Sequence, residues 1–279
     1  MSHGRVMKMS DALPLADAND AAGSPGRFGY EWQVYDEMRP EYEEQFRRWT
    51  QPLAPADWRG KSLLDVGCGM GRNSYWPMRY GAASGMAIDV DQRSLASARR
   101  TLASFPTIEV REMSAYAIDA VDRFDIVFSI GVIHHLAEPK LALRQMVRAA
   151  KPGGKVLIWV YGLENNGWIV RVLTPLRKAL FSRLPIKLVH HLSLYPTLLL
   201  WPALRLGLDR IEYFRLLRRL SLRHLRSIVF DQMLPKIAHY WPRSTVEALM
   251  GEAGLGQIEL AWVNEMSWSA VGVKPLPGT

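Results

Sequence analysis

The feature that most constrains the fold is a glycine-rich turn directly after a buried strand. The run Ser62–Val66 is apolar except for Asp65, and glycines then occupy every second position at Gly67, Gly69 and Gly71. Glycine allows a tight turn and close approach of a ligand, because it has no Cβ and tolerates positive φ. The spacing G-x-G-x-G differs from the G-x-G-x-x-G of nicotinamide- and flavin-binding folds. An acid before the turn would repel a pyrophosphate, so it favours a ligand with positive charge.

Further motifs follow in a regular order. Asp89 ends a second strand 22 residues after Gly67, where an acid is placed to accept hydrogen bonds from ribose hydroxyls. The later motifs are Val110–Met113, Arg123–Ser129, Gly131–His135 and Lys151–Gly154. With these motifs the chain resembles the class I S-adenosylmethionine (SAM) methyltransferases, and most of all the bacterial small-molecule enzymes related to the ubiquinone and menaquinone methyltransferases. The resemblance covers roughly residues 28–160.

Strands alternate with helices along most of the chain, which predicts the fold class. Continuous apolar strands that alternate with helices imply a parallel sheet covered on both faces. By the resemblance, a C-terminal pair of strands adds an antiparallel last strand. We therefore expect an α/β, Rossmann-like sheet of seven strands, mostly parallel, with a helical insertion after the fifth strand. The predicted strands are Ser62–Val66, Ser84–Ile88, Ile108–Arg111, Phe124–Ser129, Lys155–Val160, Gln257–Val263 and Ser267–Val273.

Helices are predicted from periodicity and capping residues. Two of them, Asp91–Leu102 and Pro139–Ala150, connect strands of the core. An N-terminal helix, Tyr30–Trp49, is expected to cover the cofactor pocket. Ser244 is predicted to cap a last helix, Thr245–Ala253, because serine accepts hydrogen bonds from the first free N–H groups of a helix.

Three regions are distinguished by composition. Residues 1–27 are rich in Ala, Asp, Ser and Gly and are predicted to be a disordered leader. Residues 28–279 are predicted to form the methyltransferase domain, with residues 162–230 as a helical lid or insertion. Within the insertion, Leu188–Leu208 is apolar but interrupted by prolines, histidines and an arginine, so we do not expect it to span a membrane.

The insertion carries the charge excess of the chain. The net charge is +8, and residues 165–226 contain twelve Lys/Arg against two acidic residues. The spacing predicts one helical face shared by Arg215, Arg219, Arg223 and Arg226. A solvated lid, a subunit interface of a homo-oligomer, an anionic membrane surface and an acidic carrier domain all remain open as explanations. Nucleic acid is disfavoured, because leucines rather than stacking aromatic residues separate the arginines.

The resemblance implies a set of residues that bind SAM. The glycines are expected to approach its methionyl part, Asp65 its amino group, and Asp89 its ribose. Val90 is expected to pack on the adenine, and Glu112 and Met113 to contact its amino group. Aromatic residues at the entry are expected to cover the cofactor. The full predicted set is Tyr30, Trp32, Asp65, Gly67, Gly69, Gly71, Asp89, Val90, Glu112, Met113 and Ile130.

Three residues are candidates for catalysis. His134 and His135 are predicted to end the fourth strand, and Tyr161 the fifth. Methyl transfer needs chiefly alignment of the acceptor with the methyl group. A base is required only when the acceptor must lose a proton, and histidine titrates near neutral pH. His134 is favoured as that base, while the alternative is that these residues only shape the pocket. No metal site is expected.

The sequence therefore predicts a SAM-dependent methyltransferase that acts on an O or N atom of a small, apolar molecule. The alternatives are an RNA methyltransferase and a SAM-binding or partner-binding module without catalysis. Cys68 is the only cysteine, which excludes an intrachain disulfide and favours a reducing compartment. We expect a cytoplasmic protein, with a peripheral membrane location as an open alternative.

Overall fold

The computed structural model describes residues 24–208 and 211–278. Of the leader predicted for residues 1–27, positions 1–23 lie outside the described residues. A helix, α1, already begins at Pro25. The predicted boundary between residues 27 and 28 therefore falls within a helix.

The described residues contain seven strands in one sheet. They are β1 (Ser62–Val66), β2 (Ser84–Asp89), β3 (Ile108–Glu112), β4 (Phe124–Ile130), β5 (Ala150–Tyr161), β6 (Gly256–Val263) and β7 (Ser267–Val273). Their order is β3-β2-β1-β4-β5-β7-β6. Strands β1 to β5 pair in parallel, and β7 lies antiparallel between β5 and β6. The predicted fold class is confirmed. The strand order reverses between β1 and β4, and ligands of such sheets bind at the carboxyl ends of the strands beside this point.

Helices cover both faces of the sheet, as predicted. Against one face, Met146 and Val246 are fully buried in the core. Against the other face, Phe46, Trp58 and Leu95 are almost fully buried. The helices are α1 (Pro25–Val34), α2 (Glu41–Trp49), α3 (Arg72–Arg79), α4 (Gln92–Thr101), α5 (Pro139–Ala149), α6 (Ile186–Leu192), α7 (Leu194–Arg205), α8 (Glu212–Arg218), α9 (Leu222–Met233) and α10 (Arg243–Glu252).

Two predicted helices differ from the structure. The segment Tyr30–Trp49 is not one helix, because α1 ends at Val34 and α2 begins after Pro40. Proline disfavours helical geometry in the residue before it, which agrees with the start of α2 directly after Pro40. Ser244 is not the cap of the last helix.

Helix α10 begins one residue before Ser244, at Arg243, and no side chain of its N-cap residue, Pro242, accepts a hydrogen bond. The Glu164 carboxylate accepts the N–H of Arg243 instead. This carboxylate, from the start of the insertion, satisfies one of the free N–H groups at the helix terminus.

The insertion is helical, as predicted, but its helices are short. Two π-helical segments, Ile169–Leu173 and Arg177–Phe181, precede α6. Of the four arginines predicted to share one helical face, Arg215 lies on α8, Arg223 and Arg226 lie on α9, and Arg219 falls between the two helices, so they do not share one helix. Ser221 causes the break, since its hydroxyl accepts the N–H of His224 and starts α9. In the part of the chain that the structure describes, no helix has both the length and the apolarity to cross a membrane.

Candidate functional site

The glycine turn after β1 has no room for side chains. All three glycines have positive φ, of 77°, 53° and 82°. A Cβ on Gly67 would lie 2.5 Å from a methyl carbon of Val132, and one on Gly69 would lie 2.9 Å from the indole nitrogen of Trp32. A Cβ on Gly71 would lie 3.2 Å from Ala98 of α4. The first two glycines therefore bring the backbone close to the cavity, while the third allows close packing of α4.

Asp89 is held at the carboxyl end of β2, in the cavity wall. One carboxylate oxygen accepts the N–H of Gly69 at 2.9 Å, and the other accepts the N–H of Asp91 at 3.0 Å. Burial raises the pKa of Asp89, and these backbone hydrogen bonds oppose the rise. The turn and the carboxylate thus fix each other, so the oxygens are oriented before a ligand binds.

Asp65 lies behind the turn rather than in the cavity wall. Its side chain is almost fully buried, and one carboxylate oxygen accepts the hydroxyl of Ser74 at 2.7 Å. Burial raises the pKa of Asp65 to about 7, although the Ser74 hydrogen bond opposes the rise. The predicted contact of Asp65 with the SAM amino group stays a prediction.

Other predicted cofactor residues separate into two sets. Trp32, Val90, Met113 and Ile130 line the cavity, as does Ser114, which the sequence did not single out. Tyr30, Glu112, Gly71 and Asp65 are not part of its lining.

Tyr30 and Glu112, which do not line the cavity, contact other residues. Tyr30 packs edge-on against Phe230 and His190 in the insertion. The exposed Glu112 carboxylate accepts a hydrogen bond from Gln92. In this structure Trp32 alone of the two predicted aromatic residues covers the glycine turn.

One cavity connects the glycine turn to the insertion. Its volume is about 1080 Å³, at the upper end of the range of about 300–1,000 Å³ usual for ligand pockets. It passes the carboxyl ends of β4 and β5, where the strand order reverses. The cavity is therefore large enough for a cofactor and a second molecule.

The two histidines lie in a short turn, Ile133–His135, after β4 rather than at its end. His134 is fully buried behind the cavity wall, and neither ring nitrogen has a hydrogen-bond partner among the described residues. Burial, then the neighbouring His135, lowers the pKa of His134 well below its usual value. The preference for His134 over His135 is thus not supported, because a base must reach the acceptor.

His135 does line the cavity. Its Nδ1 lies 2.8 Å from the carbonyl oxygen of Ile237, so Nδ1 carries the proton and Nε2 is left as an acceptor. Burial lowers the pKa of His135 to about 3. The ring is neutral at pH 7 and is a weak base.

Tyr161, at the end of β5, also lines the cavity. Its hydroxyl donates to the Asp231 carboxylate at 3.3 Å and accepts from the Gln232 amide at 2.9 Å. The Tyr240 ring stacks on it with centroids 5.4 Å apart. Burial raises the pKa of Tyr161 well above its usual value, so Tyr161 stays neutral and orients polar groups.

Several polar residues of this region were missed from the sequence. Glu31 and Asp231 both line the cavity, and the charge of Asp231 helps to raise the pKa of Glu31, although 200 positions separate the two residues. The Arg72 guanidinium lies 4.8–5.3 Å from the ring centres of Trp32, Tyr42 and Trp49. The only available signal was that Glu31 stands next to a predicted cofactor residue, while Asp231 follows the insertion without a motif.

Parts of the chain are similar in sequence to known proteins. Residues 64–158 match the family described as "Methyltransferase domain". A ubiquinone biosynthesis O-methyltransferase from Pseudomonas fluorescens is 36% identical over 145 residues, which are 51% of this chain and 62% of that protein. A second curated relative is less similar to this chain.

That relative is a tRNA U34 carboxymethyltransferase from Pseudomonas paraeruginosa, 29% identical over 143 residues, which are 50% of this chain and 43% of that protein. The chain thus spans less than two thirds of the length of these curated relatives. An O-methyltransferase family protein from Burkholderia thailandensis shares the fold, with a TM-score of 0.54 at 13% identity over 85% of this chain and 57% of that one.

Residues 64–158 match a methyltransferase domain, and with the O-methyltransferase relative and the shared fold they support a class I SAM-dependent methyltransferase. A domain of this kind implies that SAM is the methyl donor. The residues around the cavity fit SAM. The glycine turn exposes backbone groups that no side chain covers, and Trp32 lies over Gly69. Asp89 presents two carboxylate oxygens at the end of β2. When bound, SAM supplies an activated methyl group.

The buried Asp65 carboxyl makes the stability of the methyltransferase domain depend on pH. Its folded pKa lies above its ordinary value of 3.8, so its stabilising contribution is complete below about pH 4 and is lost as the pH rises through about 7. Asn at position 65 cannot ionise. Between pH 5 and pH 8, the free energy of unfolding of Asp65→Asn should therefore rise relative to that of the parent by roughly 2–3 kcal/mol, because each pH unit up to the pKa contributes about 1.4 kcal/mol. Denaturant unfolding at both pH values measures this gain.

Asp119→Asn is the matched control, because that carboxylate is 54% exposed and pairs with Arg111 at the surface. Its stability difference from the parent should change little over the same range. An equal pH dependence in both variants would show that Asp65 does not titrate as described.

Proposed function

We propose that the protein transfers the methyl group of SAM to an oxygen or nitrogen atom of a small, apolar molecule. The observation that carries this proposal is the single cavity that joins the glycine turn to the insertion. Its far wall is largely apolar. The apolar residues that the insertion contributes include Trp168, Ile169, Leu173, Leu176, Leu199, Leu200 and Leu217.

The polar groups of the cavity support transfer to a heteroatom. His135, Tyr161 and Gln232 meet at the carboxyl ends of β4 and β5, beside the glycine turn. A few polar groups in an apolar cavity orient a small molecule and define which atom reacts. The relative from Pseudomonas fluorescens is named for O-methylation in ubiquinone biosynthesis, which agrees with an apolar acceptor.

Labelled SAM added to a cell extract tests the proposal. After incubation with the protein, label should appear in the fraction that organic solvent extracts, together with S-adenosylhomocysteine. An Asp89→Ala variant in the same extract is the control for transfer by other enzymes. Label in RNA instead would establish the RNA methyltransferase alternative, and the absence of protein-dependent label from every fraction would contradict catalysis.

The surface of the insertion favours one kind of partner. Of the fourteen large apolar side chains that are exposed in the described residues, twelve belong to residues 162–230. Exposed basic residues, including Arg171, Lys178, Arg183 and Lys187, are interspersed with them. Apolar residues beside cations bind anionic bilayers through both burial and charge. We infer that the insertion rests on an anionic membrane surface, from which an apolar acceptor can enter the cavity.

Substitution at two exposed positions tests this surface. Val172 and Leu206 are 65% and 87% exposed and do not line the cavity. We expect Val172→Glu with Leu206→Glu to weaken binding to anionic liposomes by roughly tenfold or more, because each change removes about 1 kcal/mol of apolar burial and adds repulsion. Sedimentation with liposomes measures the bound fraction.

Val121→Glu is the control, since Val121 is 58% exposed but lies outside the insertion. It should bind liposomes as the parent does. Equal binding by all variants would refute the membrane surface and leave a lid, a carrier domain or a subunit interface as explanations.

A further inference from the structure

A buried pair of carboxyl groups lies in the acceptor region of the cavity. Glu31, on α1, is 3% exposed, and its Oε2 has no hydrogen-bond partner among the described residues. Asp231, on α9, accepts hydrogen bonds from Tyr161 and Gln232. Both side chains line the cavity. An unpaired carboxyl oxygen in a buried site costs free energy, unless a ligand supplies the missing partner.

The charges around the pair determine its protonation. Burial raises the pKa of both groups, and the Asp231 charge raises that of Glu31 further. Arg72 lowers the pKa of both, while the Tyr161 hydroxyl lowers that of Asp231. One proton is therefore held on Glu31, which donates it to Asp231. The charged and titratable groups that face the pair are Arg72, Arg177, Tyr35, Tyr161, Tyr213 and Tyr240.

This arrangement favours a neutral, protic ligand. With Glu31 protonated, the negative charge of Asp231 is balanced by the positive charge of Arg72, so the site has no excess negative charge with which to hold an ammonium group. A hydroxyl group can donate to the Asp231 carboxylate and accept from a neighbouring donor. The apolar body of such a molecule would face the insertion.

We propose that Glu31 and Asp231 bind the hydroxyl group of the acceptor and that Asp231 takes its proton. The inference rests on the proposed function and narrows the methylated atom to oxygen. As the acceptor oxygen forms its bond to the methyl carbon, the bond from that carbon to sulfur breaks and its electron pair stays on sulfur. The hydroxyl proton moves to Asp231. Both carboxyl groups are then neutral, and the proton returns to solvent after the product leaves.

Binding of two probes tests the pair without knowledge of the natural acceptor. The probes are para-butylphenol and butylbenzene, which differ by the hydroxyl group alone. With the protein saturated by S-adenosylhomocysteine, we expect the phenol to bind roughly 10- to 100-fold more tightly, because a hydrogen bond to a charged group contributes about that factor. The preference should disappear in acid, where Asp231 takes up a proton.

Two isosteric variants separate the roles within the pair. Asp231→Asn should lose most of the preference for the phenol and all of its pH dependence, since an amide does not take up the proton. Glu31→Gln should keep both, because its amide replaces the proton that Glu31 donates. Glu252→Gln and Asp119→Asn, both at exposed ion pairs, are the matched controls. The infrared absorption of protonated carboxyl groups at pH 7 should be weaker in Glu31→Gln than in the parent by the contribution of one group, while the contribution of the partly protonated Asp65 stays in both.

Calorimetric SAM affinity distinguishes the failure of this inference from failure of the proposed function. It should be near normal in all four variants, which also shows that they fold. Equal affinity for the two probes, or no affinity for the phenol, would overturn the pair as a hydroxyl site while SAM binding and methyl transfer stand. A parent that binds no SAM would contradict the proposed function itself.

Discussion

We expect Asp89→Ala to lower the affinity for SAM by roughly 10²- to 10⁴-fold. The Asp89 carboxylate lies in the cavity wall at the end of β2 and is predicted to accept two ribose hydroxyls. Hydrogen bonds to a charged group contribute about 1.5–3 kcal/mol each. Alanine also releases the N–H groups of Gly69 and Asp91, which the carboxylate orients. Isothermal titration calorimetry measures the affinity.

Asp89→Asn is the graded control for this prediction. Its side chain keeps one acceptor oxygen without the charge, so its affinity should fall between those of the parent and the alanine variant. Thermal unfolding without SAM shows whether either variant still folds. If the alanine variant folds and binds SAM as tightly as the parent, Asp89 is not a cofactor ligand.

Gly67→Ala is expected to destabilise the fold by about 2–5 kcal/mol and to abolish measurable SAM binding. A positive φ costs about 1–2 kcal/mol for a residue with a Cβ, and overpacking adds about 1–3 kcal/mol. The new Cβ would lie 2.5 Å from a methyl carbon of Val132, on the wall of the cavity. Chemical denaturation measures the free energy of unfolding, and calorimetry measures the affinity for SAM.

Gly60 provides a matched control for the backbone contribution. Its φ of 70° is close to the 77° of Gly67, but a Cβ there would meet nothing within 4 Å. Gly60→Ala should therefore cost only about 1–2 kcal/mol and leave SAM binding unchanged. Adding Val132→Ala to Gly67→Ala should recover the steric part of the loss. Equal effects of the two glycine substitutions, or no recovery, would refute the collision as the cause.

Local signals predicted the core well. The strand β1 and the C-terminal strand β7 have the predicted bounds, and the other parallel strands agree within a few residues except at the start of β5. Strands β1, β2 and β4 are largely apolar and lead directly into a glycine or an acid, so their signal lies within a few neighbouring positions. Pro40 is a local signal for the gap between α1 and α2. The helical spacing of the aromatic residues in Tyr30–Trp49 favoured one continuous helix instead.

The insertion and the acceptor region were less predictable. Helical periodicity placed four arginines on one face, but the Ser221 cap starts a new helix, so they do not share one. His134 and His135 are adjacent in sequence, and only the turn after β4 decides that His135 lines the cavity. Side-chain direction in an irregular turn depends on packing rather than on spacing.

The sequence by itself determined the order of strands and helices, the glycine turn and the acid at the end of β2, because each depends on residues close together in the chain. Only the tertiary structure brought Glu31 to Asp231, by packing α1 against α9. The two residues are 200 positions apart, and neither belongs to a motif. Their pKa values follow from burial and from Arg72, and both effects exist only in the folded protein.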